Sequence, residues 1–228
     1  MIRYRIIASL LALIVFVAEA FAYEPVGYDG LELEIRGGNN ASFGDFAAVS
    51  LLTQQCLGQK YKLAAGVQYN TIDKISLETR TAYLKEYNWG ILSTEAILAY
   101  TDIKSVGSIS AGAGLGLSGK RIEGKLGYYY RWFGGNGNSI HEPFNIFYEF
   151  SVKFLTMNQC WDLQFDITNC EIFELERHYQ PSLIAECRHY PSPDLGIIFG
   201  LGYKPSGMFN MSSDYYQTFL NLGLCYRW

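Results

Sequence analysis

The chain has 228 residues with 18 Tyr, 14 Phe, 4 Trp and 23 Gly against 6 Pro, and its formal net charge is −4. A mildly acidic chain has no electrostatic footprint for nucleic acid, so that partner class is excluded. Aromatic and Gly richness without long apolar runs beyond the N-terminus suits closed β-structure rather than a helical membrane protein.

The first stretch reads as a targeting segment. Arg3 and Arg5 precede a charge-free, mostly apolar run, Ile6 to Val17, and the small-residue pattern Ala20-Phe21-Ala22 follows. Charge, apolar run and A-x-A in that order predict a cleavable secretory signal over residues 1–22, leaving 23–228 as the folded part. The run is short for a bilayer span, and no Cys follows the cleavage point to carry a lipid.

From there the dominant signal is period two. Leu31, Leu33 and Ile35 alternate with Glu32, Glu34 and Arg36; Tyr61, Leu63, Ala65, Val67 and Tyr69 alternate with Lys62, Ala64, Gly66, Gln68 and Asn70. In 122–133 the even positions run Ile122, Gly124, Leu126, Tyr128, Tyr130, Trp132, and the odd ones carry Glu123, Lys125 and Arg131. In 144–154 Phe144, Ile146, Tyr148, Phe150, Val152 and Phe154 alternate with Asn145, Phe147, Glu149, Ser151 and Lys153. Trp161 to Thr168 and Leu195 to Lys204 repeat the pattern. A strand sends successive side chains to opposite faces, so each segment has an apolar face and a mostly polar one.

Alternation fits both a soluble sandwich and a membrane barrel. The pattern persists for roughly 9–13 residues, the reach of a tilted membrane strand, where globular strands average about 5–6. Twelve strands are expected, near 30–37, 46–56, 60–70, 74–86, 90–101, 106–118, 121–133, 143–155, 160–173, 182–190, 194–204 and 214–228. A ten-strand count stays open, because the fourth is only moderately patterned. The even connections are tight, whereas Gly37 to Asp45, Gly134 to Glu142 and Lys204 to Ser213 are long and turn-rich. Short periplasmic turns alternating with longer outer loops is the barrel expectation. Asn169 to Pro181 fits poorly, since an extended strand would put Glu171 and Arg177 into lipid; it reads as a strand leaving the membrane, or a bulge. Trp89, Trp161 and Trp228 fall at inner strand ends and Trp132 at an outer end, as an aromatic girdle requires. The fold class is therefore an all-β, antiparallel up-and-down transmembrane barrel in the outer membrane.

The final strand places Tyr216, Thr218, Leu220, Leu222, Leu224, Tyr226 and Trp228 on one face and ends on an aromatic. It resembles the C-terminal assembly signal of bacterial outer-membrane β-barrel proteins. The resemblance implies insertion by the barrel assembly machinery, recognised through Leu220 to Trp228. Strand count and short loops are also similar to those of small twelve-stranded porins.

The charged set on the polar faces is the informative group: Glu32, Glu34, Arg36, Lys62, Glu78, Arg80, Glu95, Glu123, Lys125, Arg131, Glu149, Lys153, Asp162, Asp166, Glu186, Arg188 and Arg227. Facing rows of these would line a narrow pore passing small hydrophilic solutes. Pairing across the lumen would instead close it, leaving a structural or docking barrel among outer-membrane lipids. A third reading, a lipid-modifying enzyme, rests on His141 flanked by Ser139 and Glu142; the other histidines are His178 and His189.

Other motifs carry less. Gly114-Leu-Gly116-Leu-Ser118-Gly119 matches a phosphate-loop pattern, but another strand follows where a helix is needed. It reads as a small-residue face beside Tyr129 and Arg131. Asp162 and Asp166 share a face roughly 13 Å apart, too far to share one ion. No metal or cofactor is expected. The five cysteines (Cys56, Cys160, Cys170, Cys187, Cys225) are odd in number and lack C-x-x-C, so their pairing cannot be read off and at least one stays outside any intramolecular disulfide.

Overall fold

The computed structural model describes residues 29–228 except 59, 73, 88–89, 104–105, 120–121, 136–137, 156–160, 176–179 and 206–214. The signal segment 1–22, Trp89, Cys160 and His178 lie outside the described residues.

Twelve antiparallel strands close into a barrel. They are β1 (Gly30–Asn40), β2 (Gly44–Leu57), β3 (Tyr61–Asn70), β4 (Lys74–Tyr87), β5 (Gly90–Ile103), β6 (Val106–Ser118), β7 (Ile122–Gly135), β8 (Asn138–Leu155), β9 (Trp161–Thr168), β12 (Ser182–His189), β13 (Leu195–Pro205) and β14 (Tyr215–Arg227). Two short strands, β10 (Cys170–Glu171) and β11 (Glu174–Leu175), form a separate hairpin. Each barrel strand pairs with its sequence neighbour, and β1 closes on β14 from Gly30↔Arg227 to Asn40↔Gln217. Closure leaves no open sheet edge along that seam, and the Trp228 amide donates to the Asp29 carbonyl beyond it. The fourth strand, expected to be marginal, holds 14 residues, which removes the ten-strand alternative.

The apolar faces point out. Leu126 is 62% exposed and Phe144 71%, and Leu98, Leu115, Phe150, Leu201, Leu220 and Leu222 share that exterior. Soluble proteins rarely expose apolar patches beyond a few hundred Å²; an apolar exterior of this kind suits a lipid environment. Rings mark the rims. Trp161 stacks on His189 with centroids 4.1 Å apart, Tyr226 lies beside Trp228, and Tyr61 beside Tyr83, all at the end that carries the termini. Trp132 sits at the opposite end against Tyr130.

Two expectations about the connections change. Gly37 to Asp45 and Gly134 to Glu142 are not long loops: β1 and β2 extend until only Ala41–Phe43 separates them, and β7 and β8 extend to Gly135 and Asn138. Turn-rich composition there marks the tips of long hairpins, where backbone pairing outweighs low strand propensity. Asn169 to Pro181 neither prolongs β9, which stops at Thr168, nor forms a bulge in the wall. Its first part folds into the lumen as the β10–β11 hairpin.

Candidate functional site: a hairpin across a charged lumen

Every member of the expected charged set lies buried or half-buried. On a barrel with an apolar exterior, that places these side chains on the inner surface. The wall is laced by ion pairs. Arg188 reaches Glu32 at 2.7 Å and also pairs with Glu186. Lys125 lies 3.2 Å from Glu149 and 3.5 Å from Glu123, and Lys153 lies 3.0 Å from Glu123. Arg131 pairs with Glu142 at 3.8 Å and donates to Ser110. Arg227 donates to the Tyr190 hydroxyl, and Asp166 accepts from the Gln164 amide.

The hairpin crosses the middle of this lumen and is held from many strands. The Glu171 carboxylate meets Arg36 of β1 at 2.9 Å and Lys204 of β13 at 3.0 Å. Arg80 of β4 donates to the carbonyls of Cys170 and Glu171, both at 3.0 Å, while also pairing with Glu78. Glu78 accepts the Phe173 amide at 2.8 Å. Phe173 occupies the turn at φ +71°, a conformation that costs a non-Gly residue about 1–3 kcal/mol unless its surroundings enforce it. Here they do. Its ring lies against Gly66 of β3, where any Cβ would collide. Cys170 packs into a buried apolar cluster with Ile97, Ala99, Tyr129 and Phe147.

Glycines create that space. The Phe147 ring lies over both Gly114 and Gly127, and Tyr129 packs on Gly112. The small-residue face of β6 is thus a seat for large rings inside the barrel, and the phosphate-loop spacing within it is incidental to strand structure.

Where β9 ends, Asn169 repairs the wall. Its Oδ1 accepts the Tyr148 amide at 2.8 Å, its Nδ2 donates to the Ile146 carbonyl at 2.9 Å, and its own amide donates to Tyr148. A side-chain amide replaces the backbone that a longer β9 would offer.

Two cavities flank the hairpin, both touching Ile172. One, about 230 Å³, is lined by the acids Glu32, Glu34, Glu149, Asp166, Glu171 and Glu186, by Ser50 and Gln68, and by the cations Arg36, Arg80, Lys125 and Arg188. The other, about 310 Å³, lies toward the end carrying the termini and is lined by Lys62, Lys125, Lys153, Glu95 and Glu123. The lumen is therefore acidic on one side and basic on the other.

Sequence reasoning placed Glu171 outside this set and left out Lys204, Ser50 and Gln68. Lys204 alternates with Tyr203 and so shared the polar face of β13; its position at a strand end hid it. His141 and Glu142 are adjacent on β8 and take opposite faces. His141 is exposed beside the Tyr130 ring, while Glu142 turns inward to Arg131. No disulfide joins Cys56, Cys170, Cys187 or Cys225, and the described residues hold no group of three or more potential metal ligands.

No protein-family model matches the chain, and no curated protein matches it by sequence. Solved structures do. The KdgM porin, in complex with disordered oligogalacturonate, matches with a TM-score of 0.59 and 9% identity, over 87% of this chain and 99% of that one. The NanC porin gives 0.55 and 12%, over 86% and 100%. The translocator domain of the autotransporter NalP from Neisseria meningitidis gives 0.54 and 13%, over 97% and 96%. At such identities the shared property is the fold: this chain has the closed antiparallel β-barrel architecture of these proteins.

Proposed function

We propose that the protein is a narrow outer-membrane channel for small hydrophilic solutes, with the β10–β11 hairpin setting its bore. The observation carrying this reading is the hairpin's position: it crosses a charge-lined lumen and leaves a polar cavity on either side of it. A barrel needed only as a scaffold has no use for charged cavities, because apolar filling of the lumen is cheaper than burying ions. The opposed acidic and basic walls would orient dipolar solutes and favour passage by field rather than by covalent chemistry. The porin-like fold supports the location and leaves the solute open. In this reading the signal segment is removed on export, the termini face the periplasm, and Leu220 to Trp228 engage the assembly machinery.

The ion-paired hairpin also favours a second reading, a closed barrel serving structure or docking. Planar-bilayer recording of the folded protein, alongside a variant with residues 170–175 replaced by a short Gly-Ser link, separates the two. A channel gives small discrete steps that enlarge in the variant. Steps confined to the variant would establish the closed barrel, and silence from both would dismiss the pore.

A further inference from the structure

The 230 Å³ cavity holds more carboxylates than its cations engage. All four of its cations are matched: Arg36 by Glu171, Arg80 by Glu78, Lys125 by Glu149 and Arg188 by Glu32. Two of its carboxylates are not. Among the described residues no hydrogen bond or ion pair reaches Glu34, and Asp166 takes only neutral donors.

A second observation is independent of charge. Gln68 is 3% exposed, lines the same cavity, and its Oε1 has no hydrogen-bond partner among the described residues. A buried amide oxygen left unsatisfied costs about 1–3 kcal/mol, so it calls for a donor. Glu34, Ser50 and Gln68 are register neighbours across β1, β2 and β3. They present a carboxylate, a hydroxyl and an amide oxygen side by side on one wall, with Asp166 and Glu186 elsewhere around the cavity. The unengaged acceptors on Glu34 and Gln68, in a space equal to about eight waters, match a compact donor-rich positive group.

We propose that this cavity is a binding subsite for small aliphatic amines, with a primary ammonium donating to Glu34 and Gln68 and with Asp166 available to a second ammonium. The subsite names the solute class for the channel reading and depends on that reading for its use in transport, though not for its binding.

The probe is 1,4-diaminobutane, titrated calorimetrically into the folded barrel in detergent and added to bilayers carrying it. Neutral 1,4-butanediol and anionic succinate are matched for size. Saturable binding of the diamine alone is expected, falling about tenfold or more in Glu34→Gln and in Asp166→Asn, because each loses a charge-assisted bond. Glu86→Gln, at an exposed position, serves as the control. Folding of each variant is checked by heat-modifiable migration, and the three-ligand comparison needs only the native chain. Equal binding of butanediol, or no loss in both lumen variants, would overturn the subsite. Potassium conductance without diamine binding or block would also overturn it and leave the channel standing. Diamine binding without conductance would uphold the subsite and end the channel reading.

Discussion

The ammonium of Lys204 is fully buried, and it lies 3.0 Å from the carboxylate of Glu171, the residue that anchors the lumen hairpin. Removing one partner of a buried pair strands the other charge, at about 3–5 kcal/mol. In Glu171→Ala both Lys204 and Arg36 lose that carboxylate. The hairpin is expected to leave its seat, because its charge is its link to β1 and β13. Single-channel conductance should rise and the denaturation midpoint of the folded barrel should fall. Unchanged conductance with lowered stability would mean that the hairpin keeps its place through other contacts.

The seat can be tested without touching any charge. A side chain at Gly66 would occupy the volume of the Phe173 ring. Gly66→Val is therefore expected to expel the turn and raise conductance much as Glu171→Ala does. Gly37, with open space around its Cβ position, makes the contrasting site, and Gly37→Ala should leave conductance unaltered. Matching behaviour of the Gly66 and Glu171 variants would tie the bore to the hairpin rather than to lumen charge.

These contacts explain what the chain discloses and what it hides. Strand identity and facing are local properties: Leu126 and Tyr128 against Lys125 and Tyr129 set inside and outside by parity alone. Lumen lining followed from the same parity. The hairpin did not, because its reasons are distant. Arg36 and Glu171 are 135 positions apart, and Glu78 and Phe173 are 95 apart. Residues 169–175 lack alternation, and taken alone a mixture of Cys, Glu, Ile and Phe reads as a failed strand. A tally of charge on the lumen faces gives no help either, because even with Lys204 counted the cations do not outnumber the carboxylates.

Asn169 offers a local test of how the wall survives where β9 stops. Its side chain supplies both an acceptor for Tyr148 and a donor for Ile146. Asn169→Ala leaves both backbone groups without that partner, at about 1–3 kcal/mol for each buried group left unmade. Faster hydrogen exchange at the Tyr148 amide is expected, with the amides of Lys153 and Leu155, lower on β8, unaffected. Asn169→Asp keeps the acceptor and loses the donor, so the Tyr148 amide should stay protected. If it does not, the repair depends on the backbone of 169 rather than on its side chain.

Orientation of the faces makes the final prediction, and it is the one on which a membrane barrel stands apart from a soluble one. Leu126 is mid-strand, 62% exposed, and faces outward between Tyr128 and Gly124. Leu126→Arg would place a cation in the hydrocarbon near its midplane, costing about 2–4 kcal/mol. Lys125 next to it already carries a charge, at no such cost, because it faces Glu149 inside. Refolding into vesicles should therefore weaken by about that amount in Leu126→Arg, while Gly124→Ala, on the same outward face and meeting only an ordinary contact with the Glu149 carbonyl at 4.0 Å, inserts normally. In a water-soluble barrel the added arginine would improve solubility and leave folding intact, so the sign of the effect decides between the two.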